Sequence, residues 1–184
     1  MICTNLMPDS STSLIIGVNG QDGIFLSRLL CGLGNTVIGV GNSPNPNTYL
    51  SSKVKYHKCD FRDTTKIIDL VIKNQIYEIY NLATISSVFQ SFLGPESPLE
   101  FNFNAVNRQL KGLYLSKSNS NSHIRFFQAS SSEMFGIANI EPQNEEFPFN
   151  PVSPYAVSKV KAFEACLRYQ ELGFYVSSAI MYNQ

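Results

Sequence analysis

Residues 14–23 read LIIGVNGQDG, and the rest of the predicted fold follows from this stretch. An apolar run is followed by glycines spaced G-x-x-G-x-x-G and then by a periodic apolar stretch, which predicts a buried strand, a tight turn and a helix. In such a turn the first glycine allows the bend, the second lets the backbone approach a pyrophosphate, and the third lets helix and strand pack closely. Glycines also mark ordinary loops, but between a strand and a helix this spacing favours a dinucleotide site at the helix N-terminus.

Short apolar runs and longer amphipathic runs alternate along the whole chain. Strands are predicted at residues 14–18, 36–40, 54–59, 78–82, 124–129 and 174–181. Helices are predicted at residues 23–33, 64–73, 86–92, 99–116 and 154–172. Because strands that alternate with helices form parallel sheets covered on both faces, the predicted fold class is α/β. We expect a Rossmann-type doubly wound parallel sheet of order 3-2-1-4-5-6, with the more polar third strand near an edge.

The composition fits one globular domain and argues against several kinds of partner. The chain has 184 residues, of which 43% are hydrophobic, and its formal net charge is zero. A basic stripe, a long apolar run and a lysine-rich amphipathic helix are all missing, so neither nucleic acid nor a membrane is an expected partner. Residues 1–13 do not have the pattern of a signal peptide and are predicted to be a disordered leader. Residues 14–184 are predicted to form an NAD(P)-binding domain.

The cysteines and histidines give no sign of a disulfide framework or a metal site. The four cysteines are scattered without a C-x-x-C pair, and neither histidine lies near one at ligand spacing. Reduced thiols of this kind are typical of cytoplasmic proteins, so we expect a cytoplasmic chain without a bound metal.

Tyr155 and Lys159 lie four residues apart in the helix predicted at residues 154–172, where Ser153 is the expected cap and Pro154 the first residue. This spacing places both side chains on one helix face. Free tyrosine has a pKa near ~10, and an adjacent ammonium group favours the phenolate. The pair can therefore take a proton from a substrate hydroxyl when a nicotinamide oxidises an alcohol, although by itself the same spacing is common on solvated helices.

A second polar cluster, Ser130-Ser131-Ser132-Glu133, follows the fifth predicted strand. The carboxyl ends of parallel strands meet at one edge of the sheet, so this cluster is expected near Tyr155. A hydroxyl there can orient a substrate alcohol, and a carboxylate can act as a second acid/base group. A serine-rich loop is the alternative interpretation.

The residues after the second and third strands bear on the choice of cofactor. An acidic residue after the second strand would bind the ribose of NAD, and an arginine would bind the 2′-phosphate of NADP. Gly41, Asn42 and Ser43 provide neither. Asp60 and Phe61 are placed to meet the adenine edge, although a helix cap that begins at Asp60 and includes Asp63 is nearly as good an interpretation.

Four stretches are distinctive in combination: GVNGQDG at 17–23, EIYNLA at 78–83, FQASSSE at 127–133 and SPYAVSK at 153–159. Together they make the chain resemble the N-terminal part of the GDP-mannose 4,6-dehydratases, a family of extended short-chain dehydrogenases/reductases. The resemblance runs from about residue 14 to residue 184. It implies a lyase of nucleotide-sugar metabolism that acts on GDP-mannose or a related nucleotide sugar. It also implies a C-terminal substrate domain that this sequence is expected to lack.

The family mechanism implies roles for residues at matching positions. Tyr155 would take the proton of the sugar 4-hydroxyl while hydride passes to NADP⁺, and Lys159 would hold the ribose. Ser131, where the family has threonine, would orient the hydroxyl. Glu133 would remove the C5 proton and assist loss of water across C5–C6, and the returning hydride would give a 4-keto-6-deoxy sugar. The implied cofactor-binding residues are Gly17, Asn19, Gly20, Gln21, Asp22, Gly23, Asp60, Phe61, Leu82, Ala83, Ser86, Tyr155 and Lys159.

Departures from the family pattern leave alternatives open. The family arginine after the second strand is missing, so NADP is the expected cofactor but NAD is not excluded. The alternative functions are a catalytically weak or inactive NAD(P)-binding remnant and another nucleotide-sugar epimerase or dehydratase. Glu133 argues against a simple epimerase or reductase, which needs no carboxylate beside the Tyr/Lys pair. A homo-oligomer is a further expectation from the resemblance.

Overall fold

The computed structural model describes residues 11–84, 92, 97–117, 124–137 and 142–182. Within these residues six parallel strands form one sheet in the order β3-β2-β1-β4-β5-β6, which confirms the predicted topology and the edge position of β3. The strands are β1 Thr12–Ile16, β2 Thr36–Gly41, β3 Lys55–Lys58, β4 Glu78–Asn81, β5 Arg125–Ser131 and β6 Tyr175–Met181.

Helices cover both faces of this sheet. They are α1 Gln21–Gly32, α2 Thr64–Lys73, α3 Ala105–Lys117 and α4 Pro154–Glu171, with a π-helical turn Leu99–Asn104 before α3 and a 3₁₀ turn Ser132–Phe135 after β5. Leu14 and Ile16 of β1 are buried with side chains of α2, α3 and α4, whereas Ile15 is buried with Leu30 of α1. This alternation follows from the two-residue period of a strand, and it explains why β1 is apolar at every one of these positions.

The first strand begins earlier than the sequence pattern indicated. Thr12 and Ser13, which we assigned to the leader, belong to β1, and the Ser13 hydroxyl donates a hydrogen bond to Glu78 Oε2 at 3.4 Å. Residues 1–10 lie outside the described part of the chain. Val18 lies beyond the strand, in the turn, where its N–H donates to Val40 O at 3.2 Å.

The fifth strand is longer than predicted, which corrects the interpretation of the serine cluster. Ser130 and Ser131 are the last residues of β5, and Glu133 lies in the 3₁₀ turn rather than in a loop. The strand continues because β6 pairs with it as far as Ser131, opposite Met181. No helix in the described part of the chain is both long and apolar enough to cross a bilayer.

The helix predicted at residues 99–116 is present, but its first turn is π-helical. Turns of this kind place one extra residue in a helix and are frequent at functional sites. The helix predicted at residues 86–92 falls almost entirely outside the described residues. Ser86, a predicted cofactor-binding residue, lies outside them as well.

Candidate active site

A cavity of about 380 Å³ opens at the carboxyl edge of the sheet, at the reversal of strand order between β1 and β4. Its walls come from the glycine-rich turn, from the ends of β2, β3 and β4, and from the π-helical turn. In doubly wound sheets this crevice is the usual ligand site. The predicted cofactor residues in its walls are Gly17, Asn19, Gly20, Asp22, Asp60, Phe61, Leu82 and Ala83.

The glycine-rich turn packs closely against the segment after β4 and against itself. Gly17 has φ +88°, and a Cβ there would lie 2.8 Å from Ala83 N. A Cβ on Gly23 would lie 2.6 Å from Gly17 O, whereas one on Gly20 would meet only Gly17 O, at 3.3 Å. Gly17 and Gly23 are therefore required by packing, and Gly20 leaves the backbone open to the cavity at the start of α1.

The other predicted residues of this turn have distinct places. The Asn19 side chain ties down the loop after β2, because its Oδ1 accepts from Asn47 N at 2.9 Å and its Nδ2 donates to Tyr56 Oη at 3.3 Å. Asp22 and Gln21 are exposed in the first turn of α1. Gln21 and Gly23 are not among the cavity walls, so Gly23 has a packing position and the predicted cofactor contact of Gln21 is not supported by the cavity.

Asp60 is not the cap of α2, since that position belongs to Asp63, whose Oδ1 accepts from Lys66 N at 3.1 Å. Asp60 instead binds Arg62, which donates from Nε to Oδ1 at 2.9 Å and from Nη2 to Oδ2 at 2.7 Å. These hydrogen bonds hold the pKa of the Asp60 carboxyl below its usual range. Arg62 lines the cavity but was missed by the sequence analysis, which considered cations only after the second strand.

Tyr155 and Lys159 lie on one buried turn of α4, as predicted. The helix begins with Pro154, and the Ser153 hydroxyl accepts from Ala156 N at 3.0 Å, which confirms the predicted cap. Tyr155 is 6% exposed and Lys159 is 2% exposed. The Lys159 ammonium group lies 5.7 Å from the centre of the Tyr155 ring and donates to Ala129 O of β5 at 2.8 Å. Burial lowers the pKa of Lys159 to about 8.

Ser131 and Glu133 lie directly beyond this contact along the chain. Ala129, which binds Lys159, is two residues before Ser131 on β5. Ser131 Oγ accepts from Glu133 N at 3.3 Å and so caps the 3₁₀ turn, and its own proton can still be donated. Glu133 is exposed, and α4 packs against both β5 and this turn. The four predicted acid/base residues therefore gather at one end of β5.

A buried polar chain connects the cavity to Lys159. Ala83 N donates to Asn81 Oδ1 at 3.3 Å, and Asn81 Nδ2 donates to Gln128 Oε1 at 2.7 Å. Gln128 Nε2 then donates to Ala129 O at 2.9 Å, the same carbonyl that accepts from Lys159. Neither Asn81 nor Gln128 is among the predicted site residues. Asn81 ends β4 and pairs in register with Gln128 of β5, so a pair of polar residues on adjacent strands is the signal that could have found them.

Asn102, in the π-helical turn, makes a second buried connection. Its Oδ1 accepts from Thr84 Oγ1 at 3.0 Å, and its Nδ2 donates to Ser158 Oγ at 3.1 Å. The Ser158 hydroxyl in turn donates to Tyr155 O at 2.6 Å. Asn102 thus joins the cavity wall at the end of β4 to the helix turn that carries the Tyr/Lys pair.

Comparison with known proteins decides the family. The model of a family described as GDP-mannose 4,6 dehydratase matches residues 14–184. The chain belongs to this family. It is 33% identical over 192 residues to a GDP-mannose 4,6-dehydratase of Sinorhizobium fredii, with 96% of this chain and 54% of that protein covered. A relative of the same name from Yersinia enterocolitica is 34% identical over 187 residues, with 93% and 49% covered. The chain spans about half the length of these relatives.

Solved structures agree on the fold. A UDP-glucose 4-epimerase of Thermotoga maritima, crystallised with UDP-glucose, superposes with a TM-score of 0.80 at 19% identity, covering 91% of this chain and 54% of that one. A UDP-glucose 4-epimerase of Brucella ovis in complex with NAD superposes with a TM-score of 0.79 at 18% identity, covering 91% of this chain and 50% of that one. At this identity the likeness establishes the Rossmann-type architecture of the family member described here.

Proposed function

We propose that this member of the GDP-mannose 4,6-dehydratase family binds NADP and carries the acid/base groups that convert GDP-mannose to GDP-4-keto-6-deoxymannose. The observation that supports this most is the junction of α4 and β5. There the buried Lys159 lies beside Tyr155 and binds the strand two residues before Ser131. This helix–strand contact supports the proposal that a proton-accepting pair and a hydroxyl act together at the carboxyl end of β5.

The shape of the cavity suits a dinucleotide. Side chains at residues 17 and 23 would collide with the backbone, so the turn keeps a bare surface at the N-terminus of α1, where anions are favoured. Gly17, Gly20 and Ala83 would hold the cofactor along the ends of the strands. The bound NADP would supply a hydride acceptor for oxidation at C4 and a hydride donor for reduction at C6.

The Tyr/Lys pair supplies the first proton transfer. Tyr155 would take the proton of the sugar 4-hydroxyl, and the Ser131 hydroxyl would donate a hydrogen bond to the same oxygen. With a pKa of about 8, the Lys159 ammonium group remains mostly charged at pH 7 and stabilises the phenolate that Tyr155 must form. The Ala129 carbonyl fixes the position of this charge.

Glu133 supplies the second proton transfer. A ketone at C4 acidifies the C5 proton, which a carboxylate at the exposed start of the 3₁₀ turn can remove. The same carboxyl group can then protonate the departing 6-hydroxyl, so that water is lost across C5–C6. This step distinguishes a dehydratase from an epimerase or a reductase.

Turnover with defined substrates tests the proposal. The purified chain is incubated with NADP⁺ and GDP-mannose, and the 4-keto-6-deoxy product is measured by mass spectrometry. Clear product from the native sequence would exclude the inactive remnant, and Glu133→Gln should then lose about 10²-fold or more of that turnover, because a general acid/base group contributes about that much. Glu164→Gln, on the exposed side of α4, is the matched control and should keep full turnover. Equal turnover in both variants would exclude the role given to Glu133.

A further inference from the structure

At the cavity wall formed by the end of β3, a guanidinium group is held between a carboxylate and an aromatic ring. We infer that Arg62 stacks on the adenine ring of the dinucleotide, and that Asp60 is a positioning residue that holds Arg62. This inference rests on the proposed function, because it assigns the base-binding end of the same cavity. It also changes the expectation from the sequence, which placed Asp60 itself against the adenine edge.

The position of Arg62 fits the base rather than the pyrophosphate. The end of β3 lies beside the end of β2, where Cys59 N donates to Gly41 O at 2.9 Å. Gly41, Asn42, Asp60 and Arg62 all line the cavity, away from the nicotinamide side where α4 carries Tyr155. A dinucleotide with its pyrophosphate at the glycine-rich turn directs its adenosine toward the ends of these strands.

The contacts of Asp60 show that its carboxylate is already used. Its Oδ1 accepts from the backbone N of Arg62 at 2.8 Å and from Nε at 2.9 Å, and its Oδ2 accepts from Nη2 at 2.7 Å. A bidentate pair of this kind fixes the plane of the guanidinium group as well as its position. The side chain of Arg62 is therefore ordered before any ligand arrives, which reduces the entropy lost on binding.

Aromatic residues support the other side of this arrangement. The guanidinium carbon lies 5.6 Å from the centre of the Phe101 ring, and Phe101 lies 5.2 Å from Phe61 with a 38° angle between the rings. All three side chains belong to cavity walls. A planar cation beside the Phe101 ring, which the buried Phe61 supports from behind, is a surface on which a heteroaromatic base stacks.

The charge of the cavity points to the same residue. The charged residues among its described walls are Asp22, Asp60 and Arg62, so Arg62 is the one cation in that set. A dinucleotide is an anion, and a cation held at the base-binding end offsets the repulsion from the two carboxylates. The π-helical turn has a role here as well, since it carries Phe101 next to the buried Asn102 that anchors it.

Calorimetric titration with NADPH, 5′-AMP and nicotinamide mononucleotide tests the inference. Arg62→Ala should weaken 5′-AMP and NADPH about tenfold, the size expected for one lost stacking contact, and leave nicotinamide mononucleotide unchanged. Arg62→Lys keeps the charge without the plane and should weaken 5′-AMP by a similar factor. Arg108→Ala is the matched control, because Arg108 makes an equally short and comparably exposed pair with Glu100 outside the cavity walls.

A double-mutant cycle separates the two roles. If Asp60 only positions Arg62, Asp60→Ala weakens 5′-AMP in the native background and has no further effect in Arg62→Ala. A full effect of Asp60→Ala in the Arg62→Ala background would show that the carboxylate contacts the base itself and would overturn the inference. So would unchanged affinity in both Arg62 variants. Absence of NADPH binding by the native chain at millimolar concentration would instead overturn both the proposed function and the inference about Arg62.

Discussion

The ammonium group of Lys159 is buried and donates a hydrogen bond to a neutral carbonyl, that of Ala129. Desolvation lowers its pKa from an ordinary value of 10.5 to about 8, so folding must transfer a charged group into the interior at neutral pH. Side chains of this kind are retained for chemistry although they cost stability. The buried charge that the proposed reaction needs at Lys159 therefore lowers the stability of the folded chain.

We predict that Lys159→Met raises the free energy of unfolding by about 2 kcal/mol at pH 7, as measured by urea denaturation. The shift in pKa corresponds to about 3 kcal/mol, from which the lost hydrogen bond subtracts about 1. Between about pH 8 and 10.5 Lys159 is protonated in the unfolded state and deprotonated in the folded state, so the free energy of unfolding of the unmutated chain rises with pH. The stability advantage of Lys159→Met narrows over this range. Lys161→Met, an exposed position two residues away, should change little. A destabilised Lys159→Met chain would contradict this account.

The Tyr155 hydroxyl should be needed for turnover and not for cofactor affinity. Tyr155→Phe keeps the ring at its buried position in α4 but cannot accept the proton of a substrate hydroxyl. We expect turnover of GDP-mannose to fall by about 10²-fold or more while NADPH affinity stays within about threefold. Steady-state kinetics gives the turnover and calorimetry gives the NADPH affinity. The control is Tyr175→Phe, because Tyr175 is exposed on β6. A parallel loss of both quantities would mean that Tyr155 acts through the structure of the pocket.

At the scale of elements, the turn between β1 and α1 offers a comparison within the chain. Gly17 and Gly34 have the same φ of +88°, but only Gly17 has backbone atoms within 4 Å of the Cβ position. Gly34→Ala should therefore cost about 1 kcal/mol from backbone conformation alone. Gly17→Ala should cost more, because Ala83 N, 2.8 Å away, would have to move. Thermal unfolding measures both, and NADPH binding should be lost in Gly17→Ala alone. Similar effects of the two substitutions would exclude the close approach as the cause.

The elements that the sequence predicted well are those whose pattern is local. The strand–turn–helix at residues 12–32, helix α2 and the Ser153 cap depend on apolar period, glycine spacing and capping chemistry, and all are present. The end of β5 was placed too early because Ser130 and Ser131 look like loop residues, and only pairing with β6 keeps them in the strand.

Contacts between distant segments could not be predicted from a single sequence. Asn102 joins Thr84 to Ser158 from a π-helical turn that no sequence period indicates. The hydrogen bond between Lys159 and Ala129 likewise depends on how α4 packs on β5. The residues at the proposed site were therefore largely visible in the sequence, whereas the residues that position them were not.

At the scale of the whole molecule, β1 connects the two cores to the cavity. Leu14 and Ile16 belong to the apolar core shared with α2, α3 and α4, and Ile15 belongs to the apolar core shared with α1. The carboxyl end of β1 leads directly into the glycine-rich turn. A ligand that settles on this turn touches the segments after β1, β2, β3 and β4 at once. Binding there should stabilise the fold globally and not only the loops of the site.

We predict accordingly that NADPH at 100 times its dissociation constant raises the unfolding temperature by about 5–10 °C. Mass action gives about 2.7 kcal/mol at that ratio, and each kcal/mol shifts the midpoint by about 2–4 °C for a chain of this length. Differential scanning calorimetry measures the shift, and Gly17→Ala, in which the turn is obstructed, should show none. A rise confined to hydrogen-exchange protection of the loops, with an unchanged midpoint, would contradict the view that one sheet edge couples the cofactor to both cores.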